Sequence, residues 1–186
     1  MEPFEIQTGF GEVQDPLSRA EYFTVSVRRF MAYSVLSSGM WPLYWFFRNW
    51  QAVRKAGYKK KFSPLLRTLF FNFTAFSLLK KILLGAQRAG YQGNYNPSQL
   101  AVFLFVVSFL SRGFEKLPAM PVRLLLVVLV GLFVLEPVIL SPAVEAIQYL
   151  SVKQGRDLKE NNKLTAGQVA LFALGALAWL GLLSGK

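Results

Sequence analysis

The sequence predicts an all-α, polytopic membrane protein with about four spanning helices and additional amphipathic helices at the membrane interface. Hydrophobic residues make up 53% of the 186 residues and charged residues 17%, against about 25% charged in a typical soluble domain. Aromatic residues reach 15%, with 17 Phe, more large apolar surface than a water-soluble core of this size can bury. Several apolar runs are long enough to lie in or cross a bilayer.

The net charge and the absence of two residue types exclude several classes of function. The net charge of +11 favours an anionic partner, either nucleic acid or an anionic lipid surface, and the apolar runs favour lipid. The chain contains no Cys and no His, which removes thiolate and imidazole metal ligands, Cys nucleophiles and the Ser-His-Asp arrangement. Neither a phosphate-binding loop nor a nucleophile elbow is present. We therefore expect no enzyme activity, no cofactor and no nucleic-acid partner.

Two regions differ in composition. Residues 1–21 are polar, acidic and broken by Gly and Pro, so we predict a surface tail without a signal peptide. Residues 22–186 are predicted to form a single helical membrane domain. Its first apolar segment, 25–47, is interrupted by Gly39 and Pro42, which predicts a helix, a break and a second helix from Pro42. The Trp and Tyr residues around this break favour a position at headgroup depth.

The segment after the break is amphipathic. Phe46, Trp50 and Val53 share one helical face, and Arg48 and Gln51 share the opposite face. Such a basic helix is typical of the membrane interface, where its cations hold anionic lipid. The alternative is an ordinary loop whose charges only fix the topology. The candidate lipid-binding residues are Arg48, Arg54, Lys55, Lys59, Lys60 and Lys61.

Another helix is predicted to begin at Ser63 and Pro64, with Ser as the cap and Pro in the first position. The pattern extends to residue 87 and is rich in Phe, yet polar side chains recur every seven residues along one side. These are Arg67, Thr74, Lys81 and Arg88. Because charges at the bilayer centre are costly, we favour a helix that lies at the interface over one that spans.

The C-terminal half contains the clearest spanning candidates. Residues 97–110 form a short apolar run, barely long enough to cross, whereas 122–140 and 165–183 have full spanning length. Residues 141–163 are polar, with an amphipathic stretch near 143–150. The last span has a side of small residues suited to close helix packing. These are Ala166, Ala170, Ala173 and Ala176, with Gly175 nearby.

The distribution of Lys and Arg predicts the orientation. With four spans and residues 64–88 kept inside, 14 Lys and Arg lie on the inner side and 7 on the outer side, and both termini face outward. With five spans, the inner count falls to about 11 of 21. The four-span arrangement is therefore favoured.

Two blocks of sequence carry a family resemblance. YFTVS at 22–26 and the aromatic block LYWFFRNW at 43–50 are its specific parts, and GALAW at 175–179 matches more loosely. Over most of residues 22–184 the chain resembles a family of small bacterial inner-membrane proteins. The resemblance implies a multi-pass inner-membrane location, but no established activity and no functional residues. Met-Trp-Pro at 40–42 departs from the family's usual Gly-Leu-Tyr turn.

Three polar residues in apolar surroundings are candidate intramembrane sites, namely Arg67, Asn72 and Glu136. Glu136 precedes Pro137 near one end of a predicted span, and an ionisable group there is a functional candidate by default. The structural interpretation is an ion pair between Glu136 and a cation on the helix of residues 64–87. The functional interpretation is a polar path through the membrane.

Together these observations predict a non-enzymatic integral membrane protein, either an accessory or structural subunit or a lipid-interacting protein. The expected partners are the lipid bilayer, anionic lipids and a larger membrane complex. The alternative is a small transporter or channel that uses Glu136 and Arg67, and an enzyme acting on lipids is the least favoured class. The expected location is the bacterial inner membrane.

Overall fold

The computed structural model describes residues 17, 19–57, 62–114, 122–156 and 164–184, apart from the side chains of 111–114, 122–126, 129, 182 and 183. Within these ranges the chain is all-α, as predicted, and contains no strand. The helices are α1 (Val27–Leu36), α2 (Met40–Lys55), α3 (Pro64–Leu69), α4 (Phe71–Arg88), α5 (Pro97–Phe114), α6 (Val122–Lys153) and α7 (Ala166–Ser184).

Helices α1 and α2 form a hairpin. Gly39 separates them as predicted, with a φ of 79° that glycine adopts without strain. α2 begins at Met40, two residues before the expected Pro42, because the first helical turn has no N–H bonds for Pro to remove. At 10 residues, α1 is about 15 Å long, about half the hydrocarbon thickness of a bilayer. The first predicted span is therefore a folded-back pair of helices, and four spans are not confirmed.

The tryptophans near the break lie in the protein core. Trp41, Trp45 and Trp50 are each 0% exposed. Trp45 packs edge-on against Phe30 of α1, with ring centroids 5.6 Å apart, and Trp41 stacks on Phe172 of α7 at 5.7 Å. Neighbouring helices therefore cover these side chains, and the predicted position of the break at headgroup depth stays a prediction.

The segment after Pro64 is divided in two. α3 ends at Leu69, and Phe70 has a φ of −98° and a ψ of 39°, outside the helical range. Thr74 Oγ1 donates a hydrogen bond to the Arg67 carbonyl at 2.5 Å across this break. The continuous helix predicted over 64–87 is therefore wrong, because a side-chain hydroxyl takes the carbonyl that the next helical N–H would use.

Helix α6 runs unbroken for 32 residues through Pro137 and Pro142. The sequence predicts that it ends near residue 140 and that a separate amphipathic segment follows, which is wrong. Ser141 Oγ donates to the Val138 carbonyl at 2.8 Å, the acceptor that Pro142 leaves without an N–H partner. From Leu140 onward one face of α6 is buried in the core, and this packing holds the helix together.

Helix α7 packs against the α1–α2 hairpin through one face. Gly175 lies so close to Ser37 that an added Cβ would be 2.5 Å from its Cα, and Trp179 Nε1 donates to the Val35 carbonyl at 3.0 Å. The predicted alanine side faces away, and its four alanines are exposed. The reason is that Phe172 and Trp179 offer more apolar area to bury on the Gly175 side.

The folded body begins earlier than predicted. Leu17 and Ala20 are buried, and the Leu17 carbonyl lies close against Gly85 of α4. The tail boundary predicted at residue 21 therefore falls inside the body, while the rest of the predicted tail, 1–16 and 18, lies outside the described residues.

Among the residues described, one helical stretch is long and apolar enough to cross a membrane by its length and composition, Val130–Lys153 of α6. Pro97–Leu110 and Ala166–Gly181 are shorter apolar helical stretches. Helix α4 does not meet these criteria, in agreement with the polar side recognised in its sequence.

Candidate anion-binding cleft

A polar cleft of about 480 Å³ opens where three distant parts of the chain meet. They are the extended segment 19–25, the outer face of α2 and the end of α6. The cleft is lined by four cations, one carboxylate and one amide; these are Arg19, Arg48, Lys55, Arg156, Glu21 and Gln51. We refer to it below as the four-cation cleft.

The α2 side of the cleft follows from the amphipathic pattern of the sequence. Phe46, Trp50 and Val53 are fully buried, as predicted from their shared face. Arg48 and Lys55 are two turns apart on the opposite side and line the cleft. Because protein covers the apolar face of α2, this helix is not free to insert that face into lipid. The basic face remains available.

The segment 19–25 is fixed between α2 and α6 by buried polar contacts. Phe23 N donates to Asn49 Oδ1 at 2.9 Å, and Asn49 is 0% exposed. On the other side, Gln148 Nε2 donates to the Val25 carbonyl at 2.8 Å, and the hydroxyls of Thr24 and Ser151 are hydrogen-bonded to each other. These contacts give the cleft a fixed wall.

Two of the four cations are oriented by neighbouring groups. Arg48 Nη1 donates to the Tyr44 hydroxyl at 3.3 Å, and its guanidinium carbon lies 5.2 Å from the centroid of the Phe23 ring. Arg156 Nη1 donates to the Tyr22 carbonyl at 3.3 Å, and its Nη2 donates to Gln154 Oε1. Both guanidinium groups are half-buried, so they are held in place before any ligand arrives.

The residues that line the cleft include more cations than carboxylates. Glu21 is the cleft's one carboxylate, and it forms no ion pair with any residue that the structure describes. Burial raises the pKa of the Tyr22 phenol above its ordinary value, so this wall residue stays neutral at physiological pH. Since like charges held together repel, an anion in the cleft would lower the free energy of the folded protein.

Only part of the predicted lipid-binding set lines the four-cation cleft. Arg48 and Lys55 line the cleft, whereas Arg54 is exposed on α2 outside it. Lys59, Lys60 and Lys61 lie outside the described residues. Arg19 and Arg156 were missed, and no local signal in the sequence identifies them, because only the fold brings them to α2.

The three predicted intramembrane polar residues have different neighbours. The Arg67 guanidinium lies over the rings of Trp50 and Phe62, at 4.3 and 4.1 Å from their centroids. Asn72 lines an apolar groove of about 330 Å³ between α4 and α5, and its Oδ1 is buried without a hydrogen-bond partner among the described residues. Neither the groove nor the four-cation cleft includes Glu136.

Glu136 is half-buried on α6. No hydrogen bond or ion pair to its carboxylate occurs within the described part of the chain. The predicted ion pair with a cation of α3 or α4 is therefore not observed, and Arg67 packs against aromatic rings instead.

No known protein family matches the chain, and no curated protein or solved structure shows significant similarity to it. The geometry of the four-cation cleft is therefore the basis on which its function is inferred.

Proposed function

We propose that the protein is a non-enzymatic membrane protein of the bacterial inner membrane, an accessory or structural subunit that binds anionic lipid. The observation that carries this proposal is the convergence of Arg19, Arg48, Lys55 and Arg156 in one cleft. Exposed apolar surface and the distribution of charge along the chain support the membrane location.

Exposed apolar side chains on α4, α5 and α6 support insertion in lipid. Phe73 is 77% exposed, Phe109 70% and Val127 69%. The rings of Phe73 and Phe105 lie 6.2 Å apart, which joins the apolar surfaces of α4 and α5. Soluble monomers rarely expose contiguous apolar patches larger than a few hundred Å², so lipid is the medium that suits this surface.

Three segments cross the bilayer in this proposal, namely α5, the first half of α6, and α7. With 18 and 19 residues, α5 and α7 are about 27 to 29 Å long, close to the hydrocarbon thickness of about 30 Å. Small mismatches of this kind are absorbed by local thinning of the bilayer. Helices α3 and α4 and the second half of α6 lie on one side of the membrane in this proposal. The α1–α2 hairpin enters the bilayer from that side, because Ser37 at its tip lies against Gly175 in the middle of α7.

The exposed side chains of α6 support the proposal that this helix leaves the bilayer near Ser141. Among the described side chains of α6 up to residue 138, the exposed ones are apolar, including Val127 and Val138. Beyond residue 140, Glu145 and Lys153 are exposed. A change from apolar to charged exposed positions is expected where a helix passes from the bilayer into water.

The three-span arrangement also improves the charge distribution. With the cations of α1–α4 inside, 17 of the 21 Lys and Arg lie on the inner side, more than in the four-span arrangement. The outer cations are then Arg112, Lys116, Arg123 and Lys186. The positive-inside rule therefore favours an inner-side position for the four-cation cleft, near a leaflet whose anionic lipids attract Lys and Arg.

A transporter or channel that uses Glu136 and Arg67 is the second function considered. It has less support, because Arg67 is held against Trp50 and Phe62 and Glu136 lines neither described cavity. A polar path needs these side chains to face a common water-filled space.

Lipid binding by the purified full chain tests the proposal. In mild detergent, native mass spectrometry should show more retained phosphatidylglycerol than phosphatidylethanolamine, because the cleft favours net negative charge. The double substitution Arg48→Glu with Lys55→Glu should abolish this preference. Arg54→Glu is the matched control on the same helix and should preserve it, since Arg54 lies outside the cleft. Equal retention of both lipids by the unmodified protein would contradict the proposal.

A further inference from the structure

We infer that the apolar groove between α4 and α5 is a second lipid site, which holds one acyl chain of a phospholipid while Lys80 contacts the phosphate of the same molecule. This groove is called the α4–α5 groove below. The inference uses the membrane position proposed for α5, and it does not depend on the four-cation cleft.

The α4–α5 groove is a depression with a small residue between larger ones. Ala101 is 8% exposed, whereas Phe76, Val102 and Phe105 are 42%, 59% and 43% exposed, and all four line the groove. The short side chain of Ala101 leaves space between the larger side chains, with a volume of about 330 Å³. An apolar and slender ligand therefore suits the groove.

Exposed apolar side chains continue from one end of the groove. The rings of Phe73 and Phe105 lie 6.2 Å apart, and Phe105 is stacked with Phe109 at 6.5 Å. Because α5 crosses the bilayer in the proposed arrangement, the groove lies beside lipid chains. The first turns of α4 then lie within the inner leaflet, since Phe73 is level with a position two turns into α5.

An acyl chain suits this groove better than the helix of a second copy or of a partner protein. A helix with its side chains is about 10–12 Å wide, and close helix packing in membranes uses small residues on the contact face. The exposed residues that line the α4–α5 groove include Phe76, Val102 and Phe105, which hold a second helix away. A single chain is thin enough to lie between them.

Lys80 stands at one end of the groove. Asn72, Phe76 and Lys80 are four residues apart and form one row along α4, and the first two line the groove. The Lys80 Nζ lies 5.9 Å from the centroid of the Phe76 ring, and the side chain is exposed. The ammonium group is therefore next to the apolar lining and accessible to a headgroup.

The Lys80 end of the groove is level with the lipid headgroups in the proposed arrangement. The Tyr95 hydroxyl donates to the Leu79 carbonyl at 2.8 Å, which places the start of α5 beside this turn of α4. Since α5 enters the membrane from the inner side, Lys80 lies near the inner-leaflet phosphates, which attract Lys and Arg. The chain of such a lipid extends from Lys80 along the row towards Asn72.

Photocrosslinking of the full chain in vesicles tests this site. The probe is phosphatidylcholine with a diazirine in the middle of one acyl chain, at a low fraction in vesicles of phosphatidylethanolamine and phosphatidylglycerol. Mass spectrometry should locate more adducts in residues 72–76 and 98–105 than in residues 174–180 of α7. The exposed leucines of α7 are the reference, because lipid chains exchange freely there and stay longer in a groove.

Substitutions locate the chain and the phosphate. Ala101→Phe fills the groove and should remove most of its adducts, whereas Val106→Phe adds bulk to the same helix outside the groove and should preserve them. Lys80→Glu repels the phosphate and should lower the groove adducts at least about fivefold, and Arg54→Glu should not. The exposed position of Lys80 keeps the test decisive if Ala101→Phe fails to fold.

The remaining outcomes separate this inference from the proposed function. Equal adduct yields in the groove and on α7, or adducts on α7 alone, overturn the lipid site and leave the membrane location and the four-cation cleft standing. Groove adducts that Lys80→Glu leaves unchanged overturn the contact with the phosphate. Absence of adducts from every helix overturns the membrane location together with the site.

Discussion

At the scale of single residues, Arg67 shows how a charge in apolar surroundings can serve packing. Its guanidinium carbon lies 4.3 Å from the Trp50 ring centroid and 4.1 Å from that of Phe62, and the two rings contact each other at 5.4 Å. The cation therefore joins α3 to α2 and to the segment before α3. Attraction between a cation and aromatic faces strengthens as water is excluded, and Arg67 is half-buried.

Removing this cation should destabilise the protein. Arg67→Gln loses both ring contacts, and we expect a loss of about 1 to 2 kcal/mol, seen as a lower midpoint of thermal unfolding in detergent. Lys80→Gln is the matched control, because Lys80 is exposed and its Nζ lies 5.9 Å from the Phe76 ring. Equal effects of the two substitutions would show that the ring contacts of Arg67 contribute nothing.

At the scale of elements, a single position of α7, Gly175, determines how closely this helix approaches the α1–α2 hairpin. An added Cβ at Gly175 would lie 2.5 Å from Ser37 Cα and 2.6 Å from the Leu36 carbonyl oxygen. Ser38 Oγ also donates to the Gly175 carbonyl at 3.0 Å. At Gly181, in the same helix, an added Cβ would meet no atom of another element within 4 Å among the described residues. The two glycines therefore differ in packing and share their helical setting.

This difference predicts opposite effects of the same substitution. Gly181→Ala should stabilise α7 by up to about 1 kcal/mol through helix propensity. Gly175→Ala gains the same propensity but forces α7 away from the α1–α2 hairpin, at a cost of about 1 to 3 kcal/mol. Thermal unfolding in detergent should therefore rank Gly181→Ala above the unmodified protein and Gly175→Ala below it. Stabilisation by both substitutions would argue against the close approach of α7.

At the scale of the whole molecule, the α1–α2 hairpin changes the topology. A pair of short helices that folds back on itself returns the chain to the side from which it came. The segment before α1 and the basic face of α2 then share one side of the membrane. Their cations meet in the four-cation cleft, which the four-span arrangement would separate across the bilayer.

Cysteine labelling distinguishes the two arrangements, and the natural absence of Cys allows single-cysteine variants. In the three-span arrangement, a cysteine replacing the exposed Arg28 is inside and should resist an impermeant thiol reagent in intact cells. In the four-span arrangement it is outside and should react. Ser184→Cys is the positive control, because the end of α7 faces outward in both. Ready labelling at position 28 in intact cells would refute the three-span arrangement.

The sequence by itself determined the features that depend on local chemistry. The helical class, the break at Gly39, the cap at Ser63 and the division of α2 into apolar and basic faces all follow from backbone preferences and side-chain spacing over a few residues. Helix boundaries were less well determined, because they depend on tertiary and side-chain contacts. The hydrogen bond of the Thr74 hydroxyl separates α3 from α4. Burial of one face of α6 in the core keeps this helix continuous past Pro137 and Pro142.

Only the tertiary structure decided what each apolar or charged face meets. An amphipathic helix buries its apolar face equally well in lipid or against protein, because burial of apolar area is not directional, and the fold covers Trp41, Trp45 and Trp50 with protein. The four-cation cleft depends on the same level of organisation. Arg19 and Arg156 are more than a hundred residues apart. They line the same cleft as Arg48 because the N-terminal segment is hydrogen-bonded to α2 on one side and to α6 and Arg156 on the other.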